Sequence, residues 1–255
     1  MVVQSPSLTA DSPEFDALVD KIRSFRSTIP PHVRVVAVTK YTEVWAMRAA
    51  YVAGLRDFGE NRVLDASQKQ VQLQDLTDVT WHLIGHLQSN KALKATQIFD
   101  WIQSVDSLAL AQRLDRLAAE QLAIEQLTPE QLATSAVDVH AVRSCPAKKK
   151  LTICLQVKLL PDPNKSGWTV PELLADIPSL LAIETLDIQG LMVIPPAGLT
   201  PQASETYFRQ ANDLATQLAS HGLTMKVRSM GMSDDYRVAI DQGSTLIRPG
   251  RLLFG

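Results

Sequence analysis

VRVVAVTKYTEVWAM, Val33 to Met47, joins a strand-like run to a helix-like run through a lysine. Apart from Arg34, the residues from Val33 to Thr39 are apolar or β-branched enough to form a buried strand. The run ends on Lys40, and from Glu43 to about Ala53 the apolar residues recur at helical spacing. A strand that hands over to a helix in this way is half of a βαβ unit, so the fold depends on how often the pattern repeats.

It repeats along the chain. A first helix, opened by Ser12-Pro13, is expected to reach about Ser27. After VRVVAVTK come LRDFGE with a helix from Val63 to Leu73, VTWHLIGHL with one from Asn90 to Ala95, and WIQSVD with one from Ala109 to Ile124. LTICLQVKLL follows with a helix opening near Pro171, then LDIQGLMVI with a helix from about Gln202 to Ser220. MKVRSMGMS, a short helix near Tyr236 to Asp241, and STLIRPG complete the series. Eight strand-like runs with room for crossover helices argue for an α/β fold closed into a single (β/α)8 TIM-like barrel with an extra N-terminal helix, over an open doubly wound sheet. A length of 255 residues suits one such domain. Residues 1–12 read as a ragged lead-in, and the polar, poorly periodic stretch 125–150 as a surface excursion whose KKK is a solvated charge run.

Composition removes several function classes. A formal charge of -2 offers no general attraction to nucleic acid or anionic membrane, and 45% hydrophobic with 20% charged residues is ordinary for a soluble globular protein. There is no run of about 18 apolar residues to span a bilayer, and MVVQSPSLTADSPEF has neither a basic start nor a long apolar core, so a cytoplasmic protein is expected. Cys145 and Cys154 lack CxxC spacing and read as free thiols.

In a barrel of this kind the active site lies at the C-terminal ends of the strands, where Lys40 falls. A lysine amine in a partly apolar mouth is pushed toward its neutral, nucleophilic form and can form a Schiff base; the bland reading is a lysine that snorkels to water. The late strands add weight. Ser229 closes VRS, and GSTLIRPGRLLFG places Gly243, Ser244, Arg248 and Gly250 around the last strand, a hydroxyl and glycine-turn cradle suited to a phosphate without a metal. An electrophile that carries a phosphate satisfies both ends, and pyridoxal 5'-phosphate (PLP) has the aldehyde and the phosphate.

VAVTKY, FGENRV, WHLIGHLQSNK, QSVDS, NKSGW, GLMVI, SMGMSDDYRVAI and GSTLIRPGRLLFG, in that order from about Val33 to Gly255, resemble the YggS or PROSC family of PLP homeostasis proteins, themselves similar to the N-terminal barrel domain of alanine racemases. The resemblance implies a PLP-bearing barrel without established turnover that balances PLP, amino-acid and keto-acid pools, with apo-PLP enzymes as acceptors. It implies Lys40 as the Schiff-base lysine, and Ser229, the Gly243-Ser244 turn and the backbone at Gly250-Arg251 as phosphate ligands. Arg248 would face the pyridine nitrogen, Asn61 would lie beside the ring, Met192 and Met230 would pack softly near it, and Lys165 in NKSG would be a second point of contact. An arginine at the pyridine nitrogen offers only donors and so disfavours a full carbanion. The 125–150 stretch is longer than the family needs, and VKLLPDPNKSGW carries prolines where a shorter polar turn is common.

Three functions compete: a non-catalytic PLP carrier, a PLP-dependent racemase, and a cofactor-free lysine aldolase. The carrier is favoured because the chain stops at Gly255, with no room for a racemase's second domain and its opposite-face tyrosine unless Tyr41, Tyr236 or another barrel residue substitutes. On the same argument a monomer is expected. His82 and His86 have i, i+4 spacing but lack the glutamate of HExxH and fall on strand plus turn, which sets zinc aside; NKSG lacks the lead of a P-loop.

Overall fold

The computed structural model describes residues 12–125, 150–162 and 165–255. Residues 1–11 of the expected ragged start and most of the expected surface excursion, with Cys145, lie outside them, whereas Ser12 is described. In chain order the elements are α1 (Pro13–Ser27), β1 (Arg34–Val38), α2 (Val44–Val52), β2 (Asp57–Glu60), α3 (Val63–Gln72), β3 (Thr80–Leu83), α4 (Ala92–Ile98, entered through a 3-10 turn at Ser89–Lys91), β4 (Trp101–Val105) and α5 (Leu108–Glu125). The second half comprises β5 (Thr152–Lys158), β6 (Trp168–Thr169), α6 (Val170–Leu181), β7 (Asp187–Val193), α7 (Pro201–Ser220), β8 (Val227–Ser229), α8 (Tyr236–Asp241), β9 (Leu246–Ile247) and α9 (Arg251–Phe254).

Every strand pairing is parallel. The order β1-β2-β3-β4-β5-β7-β8-β9 returns to β1, so eight strands close a barrel and the crossover helices form its outer layer. The two-residue β6, which hydropathy did not signal, only extends the sheet beside the end of β5 at Val157 and Lys158. The short terminal helix α9 was likewise not expected from the sequence.

Local chemistry explains the element ends. Ser12 caps α1 by accepting from the Phe15 amide at 3.2 Å, Pro13 occupies the first turn, and Glu14 and Asp16 lie at the positive end of the helix dipole. Phe15, Val19 and Ile22 share its buried face, which packs on α2 and α9. Thr169 and Glu172 form a reciprocal capping box at α6. β5 is buried through its whole centre, as a parallel strand covered on both faces must be.

Candidate functional site

Strand pleating sends alternate residues inward, and at the C-terminal ends of the strands these residues meet around one cavity of about 520 Å³. Val38 and Lys40 come from the end of β1, Asn61 follows β2, Ile84 and His86 follow β3, and Gln156 comes from β5. The other wall is Lys165, Ser166, Ile194, Met232, Ser233 and Asp234, with Arg248, Gly250 and Arg251 around the exit of β9. Lys40, Asn61, Arg248, Gly250 and Arg251, five of the residues expected at the site, are therefore brought together.

Lys40 is exposed, not sunk in an apolar mouth as the nucleophile argument supposed. Its amine makes no hydrogen bond or ion pair among the described residues and approaches only the Tyr41 ring, 5.5 Å from the centroid. Its backbone is held firmly. The Thr39 amide donates to Gly59 O at 2.9 Å, and Lys69 Nζ donates to Thr39 O at 2.6 Å and to Glu60 Oε1 at 2.7 Å. Thr39 Oγ1 donates to the same carboxylate oxygen at 2.6 Å. This buried brace between β1, β2 and α3 had no motif to announce it.

Lys165 reaches the same cavity with its amine occupied, donating to Pro195 O at 2.6 Å and Ile194 O at 3.4 Å, with Asp162 at 3.5 Å. His86 is tied to Asp106 at 2.8 Å and Ser166 at 3.1 Å. Asn61 is pressed against Gly85, where an added Cβ would stand 2.4 Å from Asn61 O, so only glycine lets the two loops meet.

Three expected ligands lie elsewhere. Ser229 is fully buried below the cavity, its hydroxyl donating to Gln103 Oε1 at 2.6 Å and accepting from Arg248 Nη1. β8 ends at Ser229 as the sequence implies, but the Ser229 side chain points into the barrel interior, and Gly231, at φ +97°, turns the chain just beyond it. The mouth hydroxyl is Ser233, which accepts from the Gly250 amide at 3.1 Å and the Leu252 amide at 3.2 Å. Gly243 and Ser244 precede β9 and so lie at the opposite, N-terminal end of the barrel. Ser244 Oγ is consumed by backbone carbonyls there, Met230 O at 2.7 Å among them. The barrel rule itself could have excluded both, since the site end follows a strand. Met192 and Met230 are core residues with no exposure, and Met232 is the methionine of the cavity.

Arg248 is the buried charge of the site. Its Nη2 donates to Val193 O at 2.9 Å and its backbone amide to Gly231 O at 2.8 Å. Burial lowers its pKa to about 10, opposed chiefly by Asp235, which leaves it cationic at neutral pH. Burial pushes the Cys154 thiol up to about 12, so it is a neutral core group. His82 and His86 do not converge. His82 lies inside the barrel against Asp57 at 2.9 Å, and His86 is at the mouth. Among the described residues no cluster of three His, Cys, Asp or Glu could hold a metal, and no helix is long and apolar enough to cross a membrane.

The whole arrangement has counterparts. Residues 14–255 match the family model of the alanine racemase N-terminal domain. A pyridoxal phosphate homeostasis protein of Synechocystis is 44% identical over 230 residues, covering 90% of this chain and 94% of that protein. One from Pseudomonas aeruginosa is 35% identical, covering 89% and 85%. The solved structure of PipY from Synechococcus elongatus with PLP bound superposes with a TM-score of 0.80 at 44% identity, over 93% of this chain and all of that one. An alanine racemase of Clostridium difficile shares the fold at 12% identity and TM-score 0.68, with 56% of its length covered.

Proposed function

The chain belongs to the pyridoxal phosphate homeostasis proteins, built on the alanine racemase N-terminal domain, and from that premise we propose that it binds PLP at the barrel mouth as a non-catalytic carrier. Bound PLP supplies an aldehyde that a primary amine captures reversibly and a phosphate dianion that needs cations and hydrogen-bond donors. The residues present fit both demands. Four cations, Lys40, Lys165, Arg248 and Arg251, line the cavity, against one carboxylate, Asp234, which is itself paired with Arg251. Lys40 supplies the free amine. Ser233 and the Gly250-Arg251 turn would hold the phosphate, Asn61 would lie beside the ring, and Arg248, which has N–H groups beyond those given to Ser229 and Val193, would face the ring nitrogen.

The observation that carries this reading is the contrast in availability on one cavity: Lys40's amine is unengaged and Lys165's is fully engaged. A racemase needs a second base across the ring from its lysine. Tyr41 is 89% exposed and lines a different groove, while Tyr236 is buried edge-on against Phe25 at 5.5 Å, so neither tyrosine considered for that task lines the cavity. The role is accordingly to hold PLP and release it to apo-PLP enzymes in the cytoplasm, as a monomer with the whole chain serving one barrel domain.

The test is an absorbance spectrum of the purified protein followed by borohydride reduction and peptide mapping. A yellow protein labelled on Lys40 is expected. A colourless protein that reacts with keto substrates, as a lysine aldolase would, or a label on Lys165, overturns the reading.

A further inference from the structure

A chain of hydrogen bonds crosses the barrel interior beneath the cavity, from Arg248 to Ser229, Gln103, His82 and Asp57. Its members sit on or beside five strands, and it ends at the start of β2, where Asp57 also faces Arg34 at 3.5 Å. The direction of every proton is dictated by its neighbour. A guanidinium only donates, so Ser229 must offer Arg248 a lone pair and send its own proton to Gln103 Oε1 at 2.6 Å. That turns Gln103 Nε2 toward His82 Nδ1 at 3.0 Å, which must then be the unprotonated ring nitrogen. The imidazole proton lies on Nε2 and goes to Asp57 Oδ1 at 2.9 Å. The inverted arrangement, with the Gln103 amide flipped, would face Ser229 with two donors and leave its proton no acceptor.

We propose that Gln103 is a positioning residue for the cofactor: through Ser229 it fixes the orientation of the Arg248 guanidinium, so that this protein discriminates a ring carrying a nitrogen lone pair from one that lacks it. Gln103 is fully buried and does not line the cavity, so it acts on a ligand only through Ser229 and Arg248. The same chain explains why Ser229 cannot serve a phosphate: its one proton is already committed. The proposal rests on the reading that Arg248 faces the ring nitrogen, and the test separates the two.

Full-length protein is titrated with PLP and with the carbocyclic analogue in which C–H replaces the ring nitrogen. The wild type should prefer PLP, and Gln103→Leu should weaken PLP binding about tenfold while changing the affinity for the analogue less than about twofold. Gln103→Glu, which still accepts from Ser229, should keep most of the preference. Equal loss for both ligands in Gln103→Leu would mean that Gln103 merely packs, and would overturn the proposal with the Arg248 reading intact. A wild type without preference would remove the Arg248 reading itself. If Gln103→Leu does not fold, Ser229→Ala breaks the next link at the loss of one hydroxyl; it should erase the preference, and its retention would overturn the proposal.

Discussion

Two lysines look into the same cavity and are restrained in opposite ways. Lys40 has a clamped backbone and a free amine: the Gly59 carbonyl and Lys69 pin the amide and the carbonyl of Thr39, the residue before it, while its Nζ approaches only the Tyr41 ring among the described residues. Lys165 has a clamped amine, held by two carbonyls and an aspartate. A nucleophile needs the first arrangement, because a fixed origin places the amine and a free end lets it react. The second arrangement serves structure, tying the loop before β6 to the exit of β7. Proximity to a cofactor site is thus a poor guide to reactivity.

The most direct way to break this comparison is to exchange which lysine is missing. Lys40→Ala should abolish the borohydride-reducible adduct altogether, and Lys165→Ala should retain it, with its label still on Lys40, as peptide mapping would read. An adduct that survives in Lys40→Ala would invert the assignment. A second consequence follows from having one free amine and neither Tyr41 nor Tyr236 on the cavity. Amino acids added to the PLP-loaded protein should show negligible exchange of the α-proton in deuterated solvent by NMR, and turnover on the order of 1 per second or faster would restore the racemase reading.

The clamp on Lys40 can be loosened without touching Lys40. Lys69→Met keeps the aliphatic stem but strands the fully buried Glu60 carboxylate, which has one oxygen, Oε2, without a hydrogen-bond partner and would lose the cation on the other. Removing one partner of a buried ion pair costs about 3 kcal/mol or more. Urea unfolding should show that loss, and PLP should form its Lys40 adduct more slowly. Glu60→Gln in the Lys69→Met background should recover part of the stability, since it removes the stranded charge. No recovery would mean that the brace contributes nothing beyond packing.

How far the sequence could reveal these features depended on whether a feature is local. The βα alternation and Lys40 at the end of VRVVAVT were legible because strand period, helix period and a strand-end lysine all lie within a dozen residues. Ser12-Pro13 announced α1 almost to the residue, since a cap and a first-turn proline are adjacent signals. Ser233 was missed in favour of Ser229 because both stand in SMGMS-like context, and only the left-handed turn at Gly231 decides which hydroxyl reaches the mouth. Gly243 and Ser244 resembled a phosphate turn by composition, yet their position before β9 puts them at the far end. Gln103, His82 and Lys69 were invisible as a set because their partners come from different strands and helices, which no spacing rule encodes.

The smallest expected effect lies beneath both lysines and so should leave their contrast untouched. Burial lowers the pKa of His82 in the fold, and the Asp57 carboxylate opposes that shift; Asp100 acts in the same sense as Asp57, and Arg34 adds to the lowering. A buried neutral histidine binds a proton less readily than the same residue in the unfolded chain, whose pKa is about 6.5. Above that value neither state is protonated at this site and the fold keeps its full stability. As the pH falls below about 6.5, the unfolded chain takes up the proton first, so stability declines, by up to about 1.4 kcal/mol per pH unit for one group, until the folded pKa is reached. Protonation would also turn Nδ1 into a donor facing Gln103 Nε2, so the interior chain itself resists the charge. Urea unfolding at pH 7.5 and 5.5 should show this loss, and His82→Gln should flatten the slope. Because His82 sits below the cavity and touches neither lysine, Lys40→Ala and Lys165→Ala should show the wild-type slope; a slope that changed in only one of them would mean that the interior and that lysine are coupled.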